Sequence, residues 1–217
     1  MSIVKLKNPK TKLYTDIKNH ILGNAILGKE HFSWGYLKKT TSPSNEENLT
    51  EKYYNVLKKY NQEGKTVFNP PMYNHVFLGR PNNIDLYSII YSQPFMEYIN
   101  EMYCEILNTN IKNMGMGLSE EPTGLGTYRN LPFNMMCRCA ANAVEPSTLE
   151  NVISVPHVDH NFPHKNMLIY LTDAGGSTFV EGEEFAPEED DVIIFEGIHW
   201  HELPKKERRV VLVMTYI

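Results

Sequence analysis

The chain has 217 residues and a mass of 25.1 kDa, enough for one well-packed domain and short for two. Its 41% hydrophobic and 22% charged content excludes a disordered chain. A net charge of -5 gives no global pull toward nucleic acid, and no apolar run is long enough to span a bilayer, so neither nucleic acid nor membrane is an expected partner.

The opening Met1-Ser2-Ile3-Val4-Lys5 leads into polar sequence without the apolar core of a secretion signal, and a cytoplasmic setting is expected. The three cysteines agree with that setting. Cys104 stands alone, while Cys137 and Cys139 share one face of an expected strand and would need strained geometry to form a disulfide. Lacking a second pair to complete a metal site, they read as small buried thiols.

In chain order, helical spacing comes first. Leu13, Ile17 and Ile21 recur at helical intervals, followed by Leu49, Tyr53, Val56, Leu57 and Tyr60. Ser44 or Asn45 is a suitable cap for the second helix, with Glu46 and Glu47 in its first turn. A third helix is expected from Pro94 to about Leu107, with Phe95, Ile99, Met102 and Ile106 on one face. Pro70-Pro71 and the glycines at 115, 117, 124 and 126 mark loops.

After about Phe133 the pattern changes to short β-type runs. Strands are expected near Asn134–Asn142, Ile153–His157, Met167–Thr172, Ser177–Val180, Glu184–Ala186, Asp191–Phe195, His199–Leu203 and Arg209–Tyr216. Many short strands in so short a stretch imply a sandwich or small barrel, with the preceding helices buttressing one face. The expected organisation is one domain, 1–217: a helix-rich support over 1–130 and a β core over 131–217.

Five of the eight histidines fall between positions 157 and 201. On a strand, His157 and Asp159 lie on the same face, so an imidazole and a carboxylate can converge on one ion. Chance alone gives an H-x-D in about one such chain in five, so the motif needs company. That company is His199-Trp200-His201, which follows the apolar run Asp191–Phe195. Two imidazoles and one carboxylate on one face of a metal leave three positions open, which suits iron(II). Either His199 or His201 meets that requirement by alternation.

From about Met136 to Ile217 the sequence resembles the catalytic core of the iron(II)/2-oxoglutarate-dependent oxygenases, within them the prolyl hydroxylase-like branch. The resemblance rests on His157-Val158-Asp159, Leu168–Thr172, Gly175–Phe179, Val192–Phe195, His201 and Arg209–Val213, in that order and spacing. It implies a double-stranded β-helix, a jelly-roll or cupin-like barrel in an α+β chain with a mainly β core. Catalytic metal ligands would be His157, Asp159 and His201, with His199 the competing third ligand. His160 and His164 would lie on a loop at the barrel mouth, outside the ligand set.

Implied cofactors are iron(II), the cosubstrate 2-oxoglutarate, and dioxygen. The cosubstrate's distal carboxylate needs a buried cation. Of the basic run Lys205-Lys206-Glu207-Arg208-Arg209, the resemblance favours Arg209, with Arg208 toward solvent. Tyr170 and Asn142 match positions that present polar groups to the cosubstrate. Gly175-Gly176 reads as a tight turn. Asp159 points to hydroxylation, because related halogenases carry a small residue there.

The implied reaction is hydroxylation of an unactivated C–H bond, on a prolyl or similar residue of a peptide or protein, or on a free amino acid or small metabolite. Three other classes compete. A zinc hydrolase using His157, Asp159 and His160 lacks the preceding H-x-H. A cupin-type metal enzyme starting from His199-x-His201 has little chain left to complete it. A non-catalytic ligand-binding barrel would have no use for the triad and Arg209. Tyr73, His75 and Arg129 are the residues upstream with chemistry suited to selectivity.

Overall fold

In the computed structural model the described residues are 3–27, 31–38, 51–79, 86–113 and 136–217. The chain opens with strand β1 (Val4–Leu6) and helix α1 (Lys12–Ile21). Thr11 caps α1, its hydroxyl accepting from the Tyr14 amide at 3.2 Å, and Gly23 at φ 79° ends it in the left-handed region. Then come β2 (Gly35–Leu37), α2 (Glu51–Gln62), β3 (Thr66–Val67), β4 (Met72–Leu78) and the long α3 (Leu86–Asn113). The capping residues expected for the second helix, and the glycines at 115, 117, 124 and 126, lie outside the described residues. Helix α3 extends beyond the expected Pro94–Leu107 at both ends, since a proline removes one backbone donor without ending a helix whose apolar face is buried.

The remainder is β5 (Met136–Val144), β6 (Val152–Ile153), β7 (Lys165–Tyr170), β8 (Thr178–Val180), β9 (Glu183–Phe185), β10 (Val192–Phe195), β11 (His199–His201) and β12 (Arg209–Tyr216). A seven-stranded antiparallel sheet has the order β1-β10-β7-β12-β5-β4-β2, beside a three-stranded sheet β11-β8-β9 and a short parallel pair β3-β6. Three strands of the large sheet, β1, β2 and β4, come from the N-terminal region, where only helices had been read. Edge strands of three residues carry too few side chains to show period two.

Each long strand alternates between two cores. Outward-facing Cys139, Ala141 and Ala143 of β5, Met167 and Ile169 of β7, and Leu212 and Met214 of β12 meet Tyr14, Ile17 and Ile21 of α1 and Ile99, Met102 and Ile106 of α3. The small β5 side chains leave room for the helices. Cys137 and Cys139 are buried and form no disulfide. The opposite face supplies Leu168, Tyr170, Ile193, Phe195, Val211 and Val213, which pack with Val180 of the small sheet. Helix α2 covers the other side of the small sheet through Tyr60, against Phe179 and Trp200. The helices therefore lie against two sheets, where one covered face had been expected.

Gly176, at φ 83°, sits where a Cβ would come 2.6 Å from the Leu203 carbonyl oxygen, so glycine is required for the approach of β8 to the segment after β11. Asp190, at φ 70°, ties α1 to the start of β10. Its Oδ1 accepts from Tyr14 Oη at 2.6 Å and from Lys18 Nζ at 2.5 Å, and its Oδ2 pairs with Lys10 at 3.0 Å. Burial pushes the Asp190 carboxyl up, but the bonds from Lys18, Tyr14 and Lys10 outweigh it and hold it below its usual value. Asp190→Asn, which tolerates the same backbone, is expected to lower stability by about 2 kcal/mol near neutral pH. With a depressed folded pKa, that contribution is present above the ordinary carboxyl value of 3.8 and disappears as pH falls below it. Urea midpoints of wild type and variant should therefore converge at low pH.

Candidate metal centre

His157, Asp159 and His199 place one ligand atom each within 4.8 Å of one another. Four local features bring them together. Pro156 lacks an amide donor, so the segment after β6 does not continue as regular strand. His157 nevertheless pairs with His199 through reciprocal backbone bonds of 3.0 Å. That direct pairing puts their rings on one face, with centroids 4.2 Å apart. Val158 is exposed and Asp159 buried, so the carboxylate turns inward beside both rings. On β11 the alternation sends His199 and His201 into the space between the sheets. Trp200 points the other way, stacked on Phe179 at 5.7 Å.

Backbone carbonyls fix two of the imidazoles for ligation. His157 Nδ1 lies 3.0 Å from the Val155 carbonyl oxygen and His199 Nδ1 lies 3.3 Å from that of Gly197. A carbonyl oxygen only accepts, so each Nδ1 carries the proton and each Nε2 offers its lone pair. Burial, then the neighbouring His157, hold the His199 imidazole down at about 3, so it is neutral at ordinary pH. Asp159 Oδ2 lies 3.7 Å from His199 Nε2, and its Oδ1 accepts from Arg138 Nη1 at 3.2 Å. Cis donors around a first-row divalent cation, with bonds of roughly 2.0–2.2 Å, stand about 3 Å apart, a distance small side-chain rotations reach. Two imidazoles and one buried carboxylate are a donor set that fits iron(II).

The structure thus unites His157 and Asp159, but the third donor in the cluster comes from His199. His201, the third ligand expected from the resemblance, stands two residues along β11 with its ring centroid 6.5 Å from that of His157. Its Nδ1 bonds Thr178 Oγ1 at 2.9 Å, and Thr178 in turn shares a 2.7 Å bond with Tyr170 Oη. Burial, then Arg209, push His201 well below its ordinary value. Burial also pushes the Tyr170 phenol up to about 12.

Next to the cluster is a cavity of about 90 Å³, lined by His157, His201, Ser154, Asn142, Tyr170 and Arg209 among others. One water needs roughly 10–15 Å³ of such space, so a small molecule is the appropriate occupant. Arg209 is 7% exposed, and its Nη1 donates to the Glu202 carbonyl at 2.9 Å. Burial pulls its guanidinium below the usual value. No carboxylate forms an ion pair with it among the described residues. Arg208, by contrast, is half exposed and pairs with Glu145. Asn142 lines the cavity, and its Oδ1 accepts from Asn74 Nδ2 at 2.6 Å.

Toward the other end of the large sheet, the pairings Arg138–Thr215–Asn166–Phe195 form a row beside the cluster. Sequence reasoning passed over Arg138 and Asn166; their alternation with Ala140 and Leu168 was the available signal. His160 Nε2 bonds Thr215 Oγ1 at 2.6 Å, so His160 belongs to this row and not to the cluster. Asn166 is fully buried, with neither amide atom partnered among the described residues, and His164 Nε2 is likewise unpartnered. His75 packs in an aromatic group with Phe32 and Phe77, Tyr73 lies under Arg208, and Arg129 is outside the described residues.

No protein-family model and no curated protein matches the sequence. Among solved structures, the chain is similar to a 2OG-Fe(II) oxygenase family oxidoreductase from Burkholderia pseudomallei, with 13% identity over 69% of this chain and 67% of that one and a TM-score of 0.38. It is also similar to a Trichoplax adhaerens prolyl hydroxylase solved in complex with a hypoxia inducible factor oxygen degradation domain peptide fragment, with 11% identity, coverage of 95% and 89%, and a TM-score of 0.40. A Pseudomonas putida prolyl-4-hydroxylase gives 10% identity, coverage of 95% and 99%, and a TM-score of 0.35. Likenesses this distant leave the chemistry to be argued from the site. Among the described residues, no helix is long and apolar enough to cross a membrane.

Proposed function

We propose that the protein is a non-haem iron(II) dioxygenase that uses 2-oxoglutarate and dioxygen to hydroxylate an unactivated C–H bond. We read the two facing sheets as a double-stranded β-helix in a single domain, in a cytoplasmic setting. One observation carries the reading. A small cavity is lined both by His157 of the His157/Asp159/His199 cluster and by Arg209, a buried cation with no carboxylate partner among the described residues. An unpaired buried charge is destabilising, and an anionic ligand would compensate it.

Iron(II) would be held by His157, Asp159 and His199, and when bound it supplies the redox chemistry that couples decarboxylation of 2-oxoglutarate to hydroxylation. Arg209 would hold the distal carboxylate, with Tyr170 Oη close by. Asn142 and the neutral His201 would line the passage and orient the cosubstrate. Apolar Leu168, Val211 and Val213 exclude water from that passage. The substrate would approach from the opposite side, past Arg138, Asn166 and the 160–164 segment. A prolyl or similar residue in a peptide or protein is the substrate class we favour, with a free amino acid or small metabolite as the alternative.

Protein reconstituted anaerobically with iron(II) is expected to convert 2-oxoglutarate slowly to succinate once air is admitted, even without substrate. Isotopically labelled 2-oxoglutarate and mass detection of succinate would read this. Absence of both binding and conversion, with zinc retained on four protein ligands, would overturn the proposal and favour a hydrolase.

A further inference from the structure

We propose that Arg138 is a positioning residue for the metal carboxylate, binding one oxygen of Asp159 so that only the other is offered to the cation. The inference rests on the metal reading above.

Arg138 lies on β5, paired with Thr215 of β12, on the face that looks into the space between the sheets. The ion pair is almost excluded from solvent, with side-chain exposures of 11% for Arg138 and 6% for Asp159. Its 3.2 Å bond goes to Oδ1, whereas Oδ2 is the atom near His199 Nε2. The two oxygens of one carboxylate therefore have separate jobs. Together with the two imidazoles, a carboxylate gripping the metal through both oxygens would fill four positions of a six-coordinate site and leave two. Held at Oδ1, Asp159 uses one, and three remain: two for a chelating keto acid and one for dioxygen.

Simple electrostatics expects the reverse effect on affinity. A guanidinium this near a divalent cation repels it, so deleting the charge should tighten metal binding. Orientation of a ligand by its outer partner predicts looser binding, by roughly 10–100-fold when that partner is lost. The sign of the change separates the two.

Cobalt(II), whose visible absorption reports coordination, is the probe, titrated anaerobically into wild type, Arg138→Met and Arg138→Lys. The expected result is a dissociation constant raised at least 10-fold in Arg138→Met, with a changed cobalt band. Arg138→Lys, which keeps the charge but loses the planar fork, should fall between the two with its band also altered. Equal or tighter binding by Arg138→Met would overturn the proposal, as would an Arg138→Lys spectrum and affinity identical to wild type. If Arg138→Met does not fold, Arg138→Lys carries the test alone. Failure of the wild type to bind cobalt would overturn the metal reading itself, a separate and visible outcome.

Discussion

His199→Ala is expected to abolish binding of divalent metal, with affinity for iron(II) or cobalt(II) falling by at least 100-fold, and with it all conversion of 2-oxoglutarate. Three donors hold the proposed ion, and His199 supplies the Nε2 nearest the Asp159 carboxylate. Its tautomer is set by the Gly197 carbonyl and its ring is packed edge-on against Phe195 at 4.9 Å, so the lone pair needs no reordering before the metal arrives. His201→Ala is the informative partner. Its ring stands outside the cluster and bonds Thr178, so the variant should keep metal affinity within about 10-fold of wild type. Its loss should show in a raised dissociation constant for 2-oxoglutarate. Isothermal titration of both variants, first with metal and then with cosubstrate, makes the distinction. Metal lost in His201→Ala and retained in His199→Ala would exchange the two roles.

Arg209→Met is expected to separate stability from function. The guanidinium is buried, and among the described residues no carboxylate answers its charge. Replacing a poorly compensated buried cation by an apolar side chain of similar length stabilises proteins by about 1–4 kcal/mol in favourable cases. Here the Glu202 carbonyl loses its donor, which costs about 1 kcal/mol, so a net gain of about 1 kcal/mol is expected without ligand. Affinity for 2-oxoglutarate should fall at least 100-fold, because the lost bond joins two charged groups in a water-poor cavity, an interaction worth about 3 kcal/mol. Denaturation midpoints with and without 2-oxoglutarate measure both effects. A variant less stable than wild type and still protected by the ligand would place the anion elsewhere.

Much of the second half was legible in the sequence, because its main strands, four to nine residues of apolar or alternating text, are divided by turn residues. Arg209–Tyr216, Lys165–Tyr170 and Val192–Phe195 were all expected within a residue or two of where they lie. The first half was less so. Helix α1 announced itself through Leu13, Ile17 and Ile21, but β1, β2 and β4 did not. β1 is stabilised by pairing with β10 and β4 by pairing with β5, strands far away in the chain, and β2 then pairs with β4. The segment around His157 looked like one strand, yet it forms only the two-residue β6 and, after Pro156, a single bridge from His157 to His199 of β11.

By itself the sequence determined the chemistry available: an H-x-D at His157, two further histidines near 200, and an arginine opening the last strand. These are properties of residue type and alternation, which local text carries. Only the tertiary structure decided which histidine joins the cluster, because alternation puts His199 and His201 on the same face and cannot choose between them. The choice follows from which residue of β11 lies opposite His157, and that register is fixed by backbone bonds between segments some forty residues apart. Arg138 was hidden for the same reason, since its partnership with Asp159 exists only once β5 and the 157–159 segment meet in space.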